Sequence, residues 1–347
     1  MESLSLKQYR SDAQSKLNQD IWHYLESSAG CGNTNIKNSL AWQQHQLMPR
    51  PLHSISGANT HCRLFNEEWA HPIMLAPIAY QRLFHQDGEV ASAMASNAQD
   101  GQMIVSSLAS QTLETIIESA QQPMWFQLYW QGNREASLCL VNRALLAGYN
   151  ALVFTVDAPV KQAVIQLPDH INAINLEQPL APRGLHPGQS EIFDGWMPQA
   201  PTWDDLKWLR DQTKVPLIVK GILSAEDACR IADIGCEGLV ISNHGGRVID
   251  NTPTSYEALP DIVNAVGSRC KLIVDSGIRS GHDIFTALSM GADAVCVGRP
   301  FIWGLASEGA LGVARVIRLL RDELEMTMAL TGCSNIQQIQ HLSKSKE

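Results

Sequence analysis

Gly238-Leu239-Val240-Ile241-Ser242-Asn243-His244-Gly245-Gly246-Arg247 decides how this chain folds: a short apolar run passes straight into a glycine-rich turn carrying a histidine and an arginine. Seven more such runs lie around it, Pro72–Pro77, Gln102–Ser106, Pro123–Tyr129, Ala151–Asp157, Pro216–Lys220, Leu272–Asp275 and Ala294–Gly298, most of them ending on a polar residue. Runs this short between turn residues read as strands. Glu89–Asp100, Thr112–Gln121, Arg134–Ala147, Trp203–Thr213, Ala225–Gly235, Tyr256–Val266 and His282–Met290 lie between them and are long enough for helices. Strand–helix units repeated in this way predict an α/β fold, a closed (β/α)8 or TIM barrel. Its active site belongs at the C-terminal ends of the strands. Those ends carry Ser106, Gln127, Tyr129, Thr155, Asp157, Lys220, His244, Arg247, Asp275 and Arg299.

The flanks read as additions to the barrel. In residues 1–71 the pattern predicts one helix over Gln8–Ser27, a turn over Ala29–Asn35 and an extended segment at Met48–Leu52, where two prolines disfavour helix. This N-terminal segment is expected to form a helical lid over one barrel end. Val160–Pro201, with six prolines and three glycines, predicts a long loop after strand four. A helical pattern resumes only after Trp303, with Gly309–Met328 as a long C-terminal helix. The expectation is a single domain over residues 1–347, with a lid at 1–71 and a barrel at 72–335 that includes the loop 160–201.

Bulk composition fits an enzyme of this kind. A barrel takes about 250 residues, and the chain of 347 residues leaves room for the flanks. A net charge of −9 argues against nucleic acid as a partner, because phosphate backbones need a basic face. The eight cysteines include no C-x-x-C pair, so they read as reduced thiols, with neither a disulfide framework nor a zinc site. The start lacks a basic signal region and no run of 18 apolar residues occurs. A cytoplasmic protein without a membrane segment is expected.

Two clusters carry chemistry. Asp275-Ser276-Gly277-Ile278-Arg279 and Gly298-Arg299-Pro300 follow strands seven and eight, where barrels bind phosphate. Glycines let backbone N–H groups approach an anion and each arginine adds a bidentate clamp. Tight turns alone would explain the glycines but not two such loops, each with an arginine. A phosphorylated cofactor or substrate is implied. The second cluster is His244 with Asp157, in which the aspartate at the end of strand four would support the imidazole as a proton acceptor. Arg247 is placed for an anionic substrate and Tyr129 for a substrate oxygen. An unpaired ammonium on Lys220 would be costly in the barrel mouth, so it should face an anion or an electron-rich ring.

With these residues in hand, the chain resembles the FMN-dependent α-hydroxy acid oxidase/dehydrogenase family from Tyr24 to Gly332. The likeness rests on Ser242–Arg247, Pro72–Pro77, Phe126–Tyr129, Thr155–Pro159, Val219–Gly221, Asp275–Gly281, Gly298–Pro300 and Glu325–Cys333. It implies FMN across the barrel mouth, with Pro77 and Ala79 touching it through backbone. Ser106, Gln127 and Thr155 would bond the isoalloxazine, and Lys220 would balance charge at its N1 and O2. Asp275, Arg279, Gly298 and Arg299 would hold ribityl and phosphate, and Ser242 and Gly277 belong to the same cofactor site. His244 would take a substrate proton with Asp157 stabilising the imidazolium. Arg247 and Tyr24 would bind the carboxylate of an L-2-hydroxy acid such as lactate or glycolate, and Tyr129 its hydroxyl oxygen. The product would be a 2-oxo acid, with oxygen or a quinone as electron acceptor. A homotetramer is also implied.

The chain departs from that family in three places. Arginines usual after Thr-Val-Asp-x-Pro are missing, and none occurs between Asp157 and Arg183. Lys161 could replace them as a point charge, Arg183 could fold back, or the substrate could lack a free carboxylate. Gly30-Cys31-Gly32-Asn33 stands for an acidic turn, and Ile78 for a small hydroxyl residue beside the flavin. Oxidation of a modified or carrier-bound alcohol, a non-catalytic FMN-binding barrel, and a flavin-free phosphosugar site stay open as alternatives.

Overall fold

A computed structural model of the chain describes residues 5–160, 165–177 and 181–344. Three helices come first, α1 (Leu6–Lys16), α2 (Gln19–Glu26) and α3 (Asn33–Gln43), followed by an antiparallel hairpin of β1 (Cys62–Leu64) and β2 (Glu67–Trp69). The repeat then runs β3 (Ile73–Leu75), α4 (Gly88–Ala98), β4 (Gln102–Ser106), α5 (Leu113–Ala120), β5 (Trp125–Tyr129), α6 (Arg134–Ala147) and β6 (Ala151–Thr155). It continues with α7 (Trp203–Gln212), β7 (Leu217–Ile222), α8 (Ala225–Ile234), β8 (Gly238–Ile241), α9 (Ser255–Val266), β9 (Lys271–Val274), α10 (Gly281–Ser289), β10 (Ala294–Val297) and α11 (Arg299–Thr331), closed by α12 (Ile336–Lys344). Strands β3 to β10 form a closed barrel in which β10 pairs back onto β3, every pair parallel. The (β/α)8 expectation holds.

Side-chain alternation divides the barrel core in two. Met74, Ile104, Trp125, Val153, Ile218, Val240, Ile273 and Cys296 fill the inside. Their neighbours, such as Ile73, Met103, Val105, Leu152 and Val274, turn outward onto the helices. The hairpin β1–β2 is a plug for this interior. Cys62, Leu64 and Trp69 join the inner cluster, and Phe65 and Trp69 each lie 5.5 Å from the ring of Trp125, the first residue of β5. The plug therefore closes the N-terminal end of the barrel.

The flanking segments differ from the sequence expectation in ways with local causes. The helix expected over Gln8–Ser27 is two helices, because the Asn18 side chain accepts from Ile21 N at 2.8 Å and starts α2 afresh. The turn expected over Ala29–Asn35 ends at Gly32, where α3 begins. The segment 1–71 covers both ends of the barrel rather than one, with helices above and the hairpin below. Helix resumes at Arg299 and not after Trp303, with Pro300 in the first turn, where a missing N–H is harmless. It breaks at Glu308 and Gly309, whose φ values are −144° and 61°. The described part of the loop after β6 holds only a π-helical turn at Glu191–Trp196 and a 3-10 turn at Met197–Gln199.

Candidate active site

At the C-terminal end of the barrel lies a cleft of about 1060 Å³ counting its open mouth, a size suited to a cofactor with its substrate. Segments that follow the strands line it: Pro77, Ile78 and Ala79 after β3, Tyr129 at the end of β5, Lys220 in β7, His244 and Arg247 after β8, Asp275, Gly277 and Arg279 after β9, and Gly298 and Arg299 after β10. The lid adds Tyr24 and Leu25.

The proton-handling groups meet as a chain. His244 Nδ1 lies 2.9 Å from Asp157 Oδ1, and Nε2 lies 3.3 Å from the Tyr129 hydroxyl. Burial raises the Asp157 pKa, but the His244 charge, its hydrogen bond and Lys220 outweigh that and hold the carboxyl below its ordinary value. An ionised Asp157 accepts from Nδ1–H, which leaves Nε2 of a neutral imidazole as the acceptor facing Tyr129. Burial, then Asp157 and Tyr24, push the Tyr129 phenol well above its usual range, so it stays a neutral donor. The turn that presents His244 is strained. His244 itself has φ 58°, and the Asn243 side chain accepts from Gly246 N at 3.1 Å to hold it.

Behind the cleft is a fully bonded polar layer. Ser106, Gln127 and Thr155 do not line the cleft surface. They are joined in series, Ser106 Oγ to Gln127 Oε1 at 3.2 Å and Gln127 Nε2 to Thr155 Oγ1 at 3.1 Å. Lys220 Nζ reaches Asp275 Oδ2 at 2.8 Å and Ser242 Oγ at 2.9 Å. Burial opposes its charge, yet Asp275 and then Asp157 raise its pKa above the ordinary value, so the ammonium persists.

The arginines are arranged differently. Arg299 donates only to neutral oxygens, those of Leu25, Ser27, Gly245 and Asn35. Burial, followed by Arg247 and Arg279, brings its pKa down to about 9. Arg279 is half-buried, lies 5.4 Å over the Trp303 ring, and has its pKa lowered chiefly by desolvation. Arg247 sits 5.1 Å over the Tyr24 ring and bonds three lid carbonyls through one nitrogen; its Nε and Nη2 have no partner among the described residues. Desolvated cations that repel one another and face a cleft call for an anionic ligand.

Comparison with known proteins agrees. The sequence model of the FMN-dependent dehydrogenase family matches residues 13–344. This chain belongs to that family. It is 43% identical to the L-lactate oxidase of Roseobacter sp. (strain GAI101) over 97% of its own length and 93% of the relative's. It is 35% identical to 2-hydroxyacid oxidase 2 of Mus musculus, covering 98% and 97%. A crystal structure of mandelate oxidase with (S)-2-phenylpropionate superposes with a TM-score of 0.88 at 36% identity, covering 97% of this chain and 96% of that one.

The donor set of this chain suits the family's cofactor, FMN. Helix α11 starts at Arg299 with no side-chain cap, and the buried Arg299 guanidinium with the half-buried one of Arg279 is suited to a phosphate. A Cβ at Gly298 would project beside Ile78, 3.7 Å from its Cδ1, so the absent side chain leaves room there. Of the groups proposed from sequence to replace the missing arginines, Arg183 is exposed and does not line the cleft, and Lys161 lies outside the described residues. Phe84 and Val248 went unnoticed in the sequence although both line the cleft, and Ser276, given no role of its own in the phosphate loop, lines it too. Ser276 ties the two loops together, donating to Asp275 Oδ1 at 2.7 Å and accepting from Gly245 N at 3.0 Å. Its only sequence signal was its place beside Asp275.

Proposed function

We propose that this protein oxidises short L-2-hydroxy acids, L-lactate first among them, to 2-oxo acids as an oxidase that delivers electrons to oxygen and forms hydrogen peroxide. The carrying observation is the series Asp157–His244–Tyr129 beside Arg247, two of whose donor nitrogens have no partner among the described residues. Arg247 and the Tyr24 hydroxyl bind the carboxylate, the guanidinium supplying charge-assisted bonds. Tyr129 donates to the substrate hydroxyl oxygen. His244 Nε2 accepts a substrate proton, and the ionised Asp157 stabilises the imidazolium that results. Bound FMN supplies the two-electron acceptor. Arg279, Arg299 and the start of α11 hold its phosphate, while Lys220 sets a positive charge beneath the ring site. Ile78, Phe84, Leu25 and Val248 give the cleft apolar walls, which suit an alkyl side chain on the substrate. The 43% identity to an L-lactate oxidase supports the choice of substrate.

Anaerobic titration of the flavin-loaded protein tests this reading. L-lactate should bleach the flavin bands, and air should restore them. His244→Ala should keep the flavin but reduce it slower by about 10²–10⁴-fold. Bleaching without recovery in air would make the protein a dehydrogenase. Reduction by L-lactamide as fast as by L-lactate would overturn carboxylate recognition by Arg247.

A further inference from the structure

Strand β7 does not run evenly along β8. Lys220 pairs with Val240 and Ile222 with Ile241, so Gly221 is an extra, bulged residue between two regular pairs. Its φ is +107°, in the region that side chains other than hydrogen rarely tolerate. Bulges of this kind re-aim the residues beside them and are common next to active sites. Here the bulge opens directly under Asp157. A Cβ at position 221 would lie 2.4 Å from Asp157 Cγ, 2.5 Å from its Cβ and 2.7 Å from Oδ2. All three distances are far inside van der Waals contact, and the obstructing atoms are the root of a short side chain with little freedom to move.

Hydrogen bonding fixes only one oxygen of the carboxylate. Oδ1 is taken by His244, but Oδ2 is buried and has no hydrogen-bond partner among the described residues. What lies beneath Oδ2 therefore bears on where the group can sit, and the bare backbone at Gly221 leaves free the space the carboxylate occupies. One residue earlier, the same bulge delivers Lys220 to Asp275 and Ser242.

We propose that Gly221 is a positioning residue: the bulge built on a glycine is the seat that keeps Asp157 against His244 Nδ1, and any side chain there uncouples the pair. The inference rests on the reading of His244 and Asp157 as the proton-accepting pair.

Three variants of the full-length, flavin-loaded protein test it: Asp157→Gly, Gly221→Ala and the two combined, each followed by anaerobic flavin reduction with L-lactate across pH. Gly221→Ala should slow reduction by about 10²-fold, the scale of a misplacement of about 1 Å. It should also move the acid limb of the rate profile to lower pH, because an imidazole without its aspartate loses its proton more easily. In the Asp157→Gly background, which removes the Cβ as well as the carboxylate that a side chain at 221 would meet, Gly221→Ala should change the rate by less than about twofold. Equal losses in both backgrounds, or an unshifted profile, would overturn the proposal and leave Gly221 as a backbone requirement only. If Gly221→Ala loses FMN altogether, recovery of FMN in the double variant supports the seat, and its continued loss overturns it. A normal rate in Asp157→Gly alone would instead sink the reading of the pair.

Discussion

At the N-terminal end of the barrel, Leu64, Phe65 and Trp69 enter an apolar interior and pack on Trp125, Ile104 and Met74. At the other end, Trp22, Leu25 and Trp42 anchor the lid in the outer core, and its inner edge meets the loops of the site through polar contacts made one at a time. Asn38 and Asn243 bond each other reciprocally at 2.9 and 2.7 Å, and Trp42 Nε1 donates to Ser276 O at 3.0 Å. Ala29 N donates to Gly246 O at 2.8 Å, and the last carbonyls of α2 accept from Arg247 and Arg299. Apolar closure gains free energy in proportion to buried area and needs no particular partner. Polar closure nets little per bond, since each replaces a bond to water, but it fixes positions closely and leaves a space that can hold charge. One end stabilises the barrel, and the other places His244, Arg247 and the phosphate-facing arginines.

The largest effect that separates the two ends is expected at the plug. Leu64 is fully buried, and Leu64→Ala should cost about 2–5 kcal/mol of stability through lost burial and a cavity. Urea unfolding measures this. The rate of flavin reduction and the Kd of FMN should stay at their parent values. A parallel loss of either would mean that the interior transmits strain along the strands, and the division between the ends would break.

Arg299→Met should do the converse. Loss of a charge-assisted bond of about 1.5–3 kcal/mol predicts FMN binding weaker by about 10- to 100-fold. Burial disfavours this charge in the absence of a phosphate. Urea titration of the two apoproteins should therefore show Arg299→Met at least as stable as the parent. A less stable variant would show that the site relieves this charge in some other way.

How far the sequence could be read follows the same division. The strands were legible to within a residue or two, because runs such as Ala151–Thr155 are short, apolar and bounded by turn residues. The charged residues at their ends were legible because barrel topology alone brings Asp157 and His244 to one rim. The plug was not, since Cys62–Leu64 and Glu67–Trp69 are three-residue strands, too short for any periodicity. Helix α3 was hidden for another reason: its first turn, Asn33-Thr34-Asn35, is polar, and the residue that caps it comes from Asp250 in a distant loop. Gly221 looked like any strand glycine, since its importance depends on which atom lies above it.

The smallest effect tests whether the lid is only a cover. Asp250, on the loop that also carries His244 and Arg247, accepts from Cys31 N at 2.9 Å and Thr34 N at 2.8 Å, and so stands in for the side-chain cap that Gly32 cannot offer α3. The Thr34 N–H, with those of Asn251 and Asn33, brings its pKa down to about 2 from 3.8. A folded pKa below the unfolded one means that this contribution is complete above about pH 4 and fades as pH falls toward 2. Asp250→Ala should therefore raise the KM for L-lactate and speed amide exchange in α3, each by less than about tenfold, while kcat stays unchanged. Asp250→Asn, which keeps one acceptor oxygen, should fall between. The lid would then act through occupancy of the cleft alone. A fall in kcat with normal FMN binding would mean instead that the latch reaches the strained turn at His244, so that the polar end positions the proton acceptor through its cover as well as through Asp157.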